Sequence, residues 1–148
     1  MVKEKEFLPI ICTKNTYGSK LRRLRLKKGL TLKKLSFLMN ISSATLKNLE
    51  KDRIPSPNCY YYYYIYCNKL NVNHIDYLQL LTLSETSIQD KLLKIRAFCG
   101  HKTWKETSYY INVHSDTIHN WINNESKPTL INVKRIDLLL SKLKGAYN

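Results

Sequence analysis

Leucine recurs at intervals of three and four residues early in the chain: Leu21 and Leu24, then Leu32, Leu35 and Leu38 with Met39, then Leu46 and Leu49. A period near 3.6 places each set on one helix face, so residues 18–50 read as three short helices separated at Gly29 and at Asn40–Ile41. Thr31 and Ser42 stand where N-caps accept from first-turn amides, and Gly29 stands where a helix ends. Ile41 is expected as a buried turn residue that fixes the angle between the second and third helices. Helices this short cannot bury their own stripes. The first, with Leu21, Leu24 and marginally Leu26 inward, is therefore expected to lie across the other two. Its Arg22, Arg23, Arg25, Lys27 and Lys28 are left for solvent or phosphate.

Upstream, residues 1–16 form an extension in which Phe7, Leu8, Ile10 and Ile11 can pack on the first domain, and Pro9 argues against a continuous helix there. Downstream, residues 51–57 hold Pro55 and Pro57 among polar residues and read as a loop. A helix over 58–70 follows, with six tyrosines between positions 60 and 66. Helical spacing puts Cys59, Tyr62, Ile65 and Tyr66 on one side and leaves the other rings half exposed. Those phenols fit a solvated amphipathic face, or a subunit or interdomain contact that includes a homodimer through this helix. A base-stacking platform would need a basic groove beside them, and the densest basic residues lie elsewhere. After a polar turn at 70–73, Ile75, Leu78, Leu81 and Leu83 predict a fifth helix over 74–83. Polar residues 84–87 mark a short linker.

Past the linker the pattern returns. Lys91, Leu92, Ile95, Arg96 and Gly100 stand 71 positions after Lys20, Leu21, Leu24, Arg25 and Gly29. Thr103, Ser108, Asn112, Ser115, Thr117 and Asn120 stand 72 after Thr31, Ser36, Asn40, Ser43, Thr45 and Asn48, while Val113, Ile118 and Trp121 replace Ile41, Leu46 and Leu49. The retained apolar positions make an internal duplication credible. Pro128 returns to the offset of 71 from Pro57. Thr103 and Glu106 form a reciprocal capping box ahead of Trp104, Tyr110 and Ile111, which cover that helix. Residues 114–123 read as the next helix, with Ile118 and Trp121 inward. Residues 130–143 read as the last, using Ile131, Ile136, Leu139, Leu140 and Leu143. No fifth helix follows, so the apolar surface of this copy is expected to close against the first domain.

The run from Gly18 to Pro57 resembles the phage-repressor, or Cro/C1 (XRE), type of helix-turn-helix domain. Its basic first helix ends in Gly29, Leu30-Thr31 opens the scaffold helix, Ile41 sits in the turn, and Thr45-Leu46, Leu49-Glu50 and Pro57 complete the spacing. Asn40 replaces the glycine usual in the family, which its tolerance of left-handed backbone permits. Lys34 replaces a glutamate, removing half of a capping box. The implied fold class is all-α, with two tandem helix-turn-helix domains. The first (17–83) has about five helices and the second (88–144), a divergent copy, about four, joined by 84–87.

A helix with small and polar residues at its N-terminal end can enter the major groove, where base edges distinguish all four pairs. Ser43, Ala44, Lys47 and Asn48 are the solvent-facing candidates. Lys47 can donate to guanine, Asn48 can pair bidentately with adenine, Ser43 can donate or accept, and Ala44 can touch a thymine methyl. The resemblance implies that Ser43, Ala44 and Asn48 face the groove and that Arg53 and Asn58 lie near the DNA backbone or minor groove. Arg22 and Lys33 are further phosphate candidates. In the second copy the corresponding residues are Ser115, Asp116, His119 and Asn120, and Asp116 repels phosphate unless it accepts from cytosine N4 or caps the helix.

Charge separates the halves. The 148 residues carry 25 Lys or Arg against 11 Asp or Glu, net +14. Residues 1–73 hold 15 basic and 4 acidic side chains, whereas 74–148 hold 10 and 7, which makes the first copy the stronger candidate for a polyanion. No apolar run approaches a membrane span and the N-terminus lacks a signal-peptide hydrophobic region, so a cytoplasmic protein is expected. Cys12, Cys59, Cys67 and Cys99 lack metal-ligand spacing and read as free thiols. His114 and His119 lack a third ligand and no phosphate loop is present, so no cofactor, metal or catalytic role is expected. The expectation is a sequence-specific double-stranded DNA-binding regulator, by family analogy a repressor or mobile-element regulator. The alternative is a protein-interaction module with a degenerate DNA-binding fold, marked by an exposed aromatic patch and an occluded Ser43–Asn48 face.

Overall fold

The computed structural model describes residues 16–146. The expected packing of Phe7, Leu8, Ile10 and Ile11 and the thiol of Cys12 lie outside that range. Among the described residues the chain is all-helical: α1 (Tyr17–Lys27), α2 (Leu32–Met39), α3 (Ser43–Glu50), α4 (Asn58–Lys69), α5 (His74–Tyr77), a 3-10 turn (Leu80–Thr82), α6 (Ile88–Cys99), α7 (Trp104–Ile111), α8 (Ser115–Ile122) and α9 (Leu130–Gly145).

The expected caps form. Thr31 Oγ1 accepts from Lys34 N at 3.1 Å and Ser42 Oγ from Thr45 N at 3.0 Å, so both helices of the central pair start where a side chain satisfies a free amide. Asn40 closes α2 in the left-handed region at φ 57°. Leu21, Leu35, Met39, Leu46 and Leu49 meet in one core, and the turn residue Ile41, half-buried, packs against it. Leu26 and Leu38 do not join it and are exposed at 48% and 47%, because each lies at the solvent edge of a stripe whose centre is already filled. The largest departure is Arg25, which is 5% exposed and buried against Glu50 instead of facing solvent.

Helix α4 is rotated from its expected setting. Cys59, Tyr60, Tyr63, Tyr66 and Cys67 are buried, whereas Tyr62 and Ile65 are half-buried. None of the six tyrosines is exposed, because the helix is covered on one side by the first core and on the other by α6. Tyr17, Tyr60 and Tyr63 pack edge to face with centroids 5.4–6.4 Å apart. The fifth helix is also interrupted: α5 ends at Tyr77, Gln79 turns left-handed at φ 56°, and a 3-10 turn replaces the remainder.

The central pair of the second group matches that of the first in length and punctuation. Helices α7 and α8 have eight residues each, as do α2 and α3. Gly100 and Asn112 are left-handed like Gly29 and Asn40. Ile118 and Trp121 are buried as expected, at 0% and 2%. The expected capping box is displaced by one residue: Thr103 Oγ1 caps Glu106 N, but Glu106 Oε1 accepts from Lys102 N at 2.6 Å. Ile131 is 73% exposed, not inward. The buried Ile136 and Leu140 of α9 stand 73 positions after Tyr63 and Cys67 of α4, so burial follows that register and not the offset of 71 at Pro128.

Two hydrophobic clusters result, and α6 belongs to both. Leu92 and Ile95 sit in the second, while Ala97 and Phe98 sit in the first. Polar contacts reinforce the joint. Lys94, 2% exposed, donates to Leu81 O, Leu83 O and Glu85 Oε2 at 2.7–2.9 Å, which uses all three ammonium protons. Glu85 also receives Lys144 from α9. Gly100 lies against the ring of Tyr64, where a Cβ would overlap the ring atoms. His74 Nε2 donates to Ala97 O at 3.0 Å. Burial holds the imidazole pKa below its ordinary value.

A depressed histidine pKa means that the unfolded chain binds more protons than the folded one near and below the ordinary imidazole value. Stability is therefore highest above that value and declines as pH falls through it. His101, shifted in the same direction by burial, adds to the effect. The urea midpoint is expected to fall between about pH 7.5 and 5.5. In His74→Gln, which keeps an N–H donor for Ala97, the decline should be shallower; an unchanged profile would show that the His74 contact does not carry the linkage.

Candidate nucleic-acid interface

Helix α3 is held at both ends, and its outer face is a consequence of that anchoring. Leu46 and Leu49, 0% and 1% exposed, fill the core, so Ala44, Lys47 and Asn48 are carried to the surface at helical spacing. At the N-terminal end Ser43 Oγ lies 3.0 Å from Ser36 Oγ of α2, so its hydroxyl already has a partner while the residue stays exposed. At the C-terminal end Arg25 grips Glu50 through two bonds, Nε to Oε2 at 2.7 Å and Nη2 to Oε1 at 3.0 Å, and Nη1 donates to Leu30 O at 2.9 Å. The Tyr66 hydroxyl meets Glu50 Oε2 and Leu21 O. Burial first, then the Glu50 charge, pushes the Tyr66 phenol far above its ordinary pKa.

Beside this face lies a cleft of about 500 Å³ between α1, α3 and the loop after α3. Its cationic lining is Arg22, Lys47, Lys51 and Arg53, together with the neutralised Arg25–Glu50 pair and Asp52. Gly18 shapes it: its N–H donates to Asp52 Oδ1 at 2.8 Å, and a Cβ there would press within 2.5 Å of Glu50 O. The Lys51 pKa is drawn below its ordinary value by Lys47 first, and further by Arg53 and Arg22. Cations that raise one another's energy in this way gain when an anion arrives.

The cleft thus gathers Arg22, Lys47 and Arg53 from the candidate set and adds Lys51, which sequence reasoning missed. Its spacing four residues after Lys47 was the available signal. Lys33 is exposed on the first turn of α2 but does not line the cleft. Asn58 is exposed at the start of α4, where its Oδ1 accepts from Arg96 Nη2 at 3.3 Å.

The corresponding face of α8 is chemically different. Asp116, His119 and Asn120 are exposed and Ser115 is half-buried. Asp116 stands 3.6 Å from His114, whose Nδ1 caps Asp116 N. His119 Nδ1 lies 2.8 Å from Ser115 O; donating there leaves Nε2 of the neutral ring as an acceptor. This face therefore offers acceptors where α3 offers the Lys47 cation.

The helix-turn-helix family model matches residues 21–58, the segment that runs from within α1 through α2, α3 and the following loop to the first residue of α4. This segment is a helix-turn-helix domain of the Cro/C1 (XRE) type. The family is one of double-stranded DNA-binding transcription regulators. No curated protein and no solved structure matches the chain. Among the described residues no helix is long and apolar enough to cross a membrane, and Cys59, Cys67 and Cys99 are free thiols.

Within the helix-turn-helix domain, Arg25 without Glu50 is a buried unpaired charge. Glu50→Ala should cost about 3–5 kcal/mol, whereas Tyr66→Phe, which keeps the ring and removes one bond to a charged group, should cost about 1.5–3 kcal/mol. Urea unfolding of both variants measures the difference. Equal, small losses would mean that the domain does not depend on the pair.

Proposed function

We propose that this chain is a sequence-specific regulator that reads the major groove of double-stranded DNA with α3, acting as a repressor or regulator of a mobile element. The observation that carries the reading is the pairing of an exposed Ala44–Lys47–Asn48 face with the adjoining cleft of Arg22, Lys47, Lys51 and Arg53. Base edges and phosphates are then met by one surface, the first giving specificity and the second register. The repressor sign rests on family analogy. Two observations weigh against a protein-interaction module: α3 is open, and the six tyrosines of α4 are buried or half-buried, so that the exposed aromatic rings Phe37, Tyr109 and Tyr110 lie outside that helix.

The second group of helices is proposed as a divergent copy of the first, supported by matched helix lengths and the paired left-handed residues. Its α8, with Asp116, His119 and Asn120, is the reader of an adjoining, chemically different half-site. Since α6 is shared between the cores, both helices are presented in fixed relation, and one monomer occupies one asymmetric site. The tyrosine-helix homodimer is not needed for this arrangement.

Binding-site selection with the purified protein tests the main reading directly. Lys47→Ala combined with Asn48→Ala should remove the preference for the selected duplex while keeping helix content. Lys51→Gln should weaken selected and random duplexes alike, because phosphate contacts carry no sequence information. A double variant with the parent's specificity ratio at fixed salt would rule out α3 as the reader. The mass of the DNA complex should correspond to one chain per site, and Asn120→Ala should shrink the footprint. A required second chain, or a footprint indifferent to Asn120, would make the second copy structural.

A further inference from the structure

A second groove, of about 350 Å³, lies where the two halves meet, on the far side of the loop from the basic cleft. The loop after α3 divides the two: Arg53 lines the cleft and its neighbour Ile54 lines the groove. The rest of the groove is Asn58, Tyr61 and Tyr62 from α4 with Lys102 and Thr103 from the turn between α6 and α7. Its two walls are held together by Arg96, 2% exposed, which donates to Asn58 Oδ1 on one side and to Lys102 O at 2.6 Å on the other. The groove is thus a product of the joint and exists in neither half alone.

The chemistry of the groove is that of a polyanion track. Lys102 is exposed, its ammonium 5.6 Å from the centre of the Tyr61 ring, and among the described residues it meets no carboxylate. The nearby Glu106 gives its Oε1 to the Lys102 amide, and buried Arg96 offsets its charge. Lys105, exposed one turn further on, lies outside the groove with its ammonium 5.9 Å from the Tyr109 ring centre. Half-buried Tyr61 and Tyr62 bring phenols to the same walls, able to donate to phosphate oxygens.

We propose that this groove takes the sugar–phosphate backbone of the duplex engaged by α3, with Lys102 neutralising a phosphate, so that the turn between α6 and α7 adds a backbone contact that itself reads no base. The inference rests on the DNA-binding reading given above. It adds a positioning residue from outside the helix-turn-helix domain, and it makes the joint between the halves part of the binding surface.

Salt-dependent affinity for the selected duplex tests it with the full chain, in the parent, Lys102→Gln, Lys102→Arg and Lys69→Gln. Lys69→Gln removes the same charge at the other end of α4, about 16 Å from Asn58 along the helix. The log-log slope should become shallower by about one unit in Lys102→Gln and stay at the parent value in the other two, with the ratio of selected to random affinity unchanged throughout. A parent that binds while Lys102→Gln keeps its full slope, or while Lys69→Gln loses as much, overturns the groove and leaves the role of α3 standing. A parent with no salt-dependent affinity for duplex DNA overturns both.

Discussion

A buried ion pair fixes the geometry of the first group of helices. Arg25 on α1 holds Glu50, the last residue of α3, and also the Leu30 carbonyl in the turn before α2; Tyr66 on α4 closes the far side of the same carboxylate. Four segments are therefore tied together through one ion pair. In a low-dielectric interior neither charge tolerates loss of the other, and each hydrogen bond is directional, so the network sets the angle of α3 in a way that leucine packing alone would leave softer. The exposed face of α3 is what remains after Leu46, Leu49 and Glu50 have been committed inward.

The second half lacks that carboxylate, and its arginine is put to a different use. Arg96 stands where Arg25 stood, but Ile122 occupies the place 72 positions after Glu50. The guanidinium keeps its bonds to the turn after α6, through His101 O and Lys102 O, stacks 4.7 Å from the Trp104 ring centre, and reaches across to Asn58. The arginine of the first half thus fastens α3 internally, whereas that of the second fastens the two halves together. Gly100 against Tyr64, His74 against Ala97 and Lys94 among the carbonyls of residues 81 and 83 work in the same direction. Helix α6 completes the first core while founding the second.

This construction separates the two proposed reading helices in chemistry while holding them in one body. Cations crowd beside α3, whereas α8 carries Asp116, and His119 is tied to its own helix. Positive charge is consequently concentrated beside α3, and the joint places the exposed Lys102 against α4.

Much of this was legible in the sequence because it is governed by local rules. Leucine periodicity placed α1, α2 and α3, the capping preferences of Thr31 and Ser42 set where two of them start, and the tolerance of asparagine for left-handed backbone explained Asn40. The outward Lys47 and Asn48 followed from the inward Leu46 and Leu49 by helical geometry. What periodicity could not reach was the partner of a charged or amphipathic side chain. Arg25 read as solvent-facing because nothing local distinguishes it from Arg22; only the approach of Glu50 from α3 gives its charge a buried counterpart. The tyrosine helix has rings on every side, so its own sequence left the rotation undetermined, and the choice of Tyr60, Tyr63 and Tyr66 as core came from the two surfaces that enclose it. The exposed Ile131 and the interrupted fifth helix have the same origin. Local propensity depends on neighbours along the chain, whereas the burial of a polar group or the face an aromatic helix turns inward depends on residues far away in sequence, and those meet only in the folded structure.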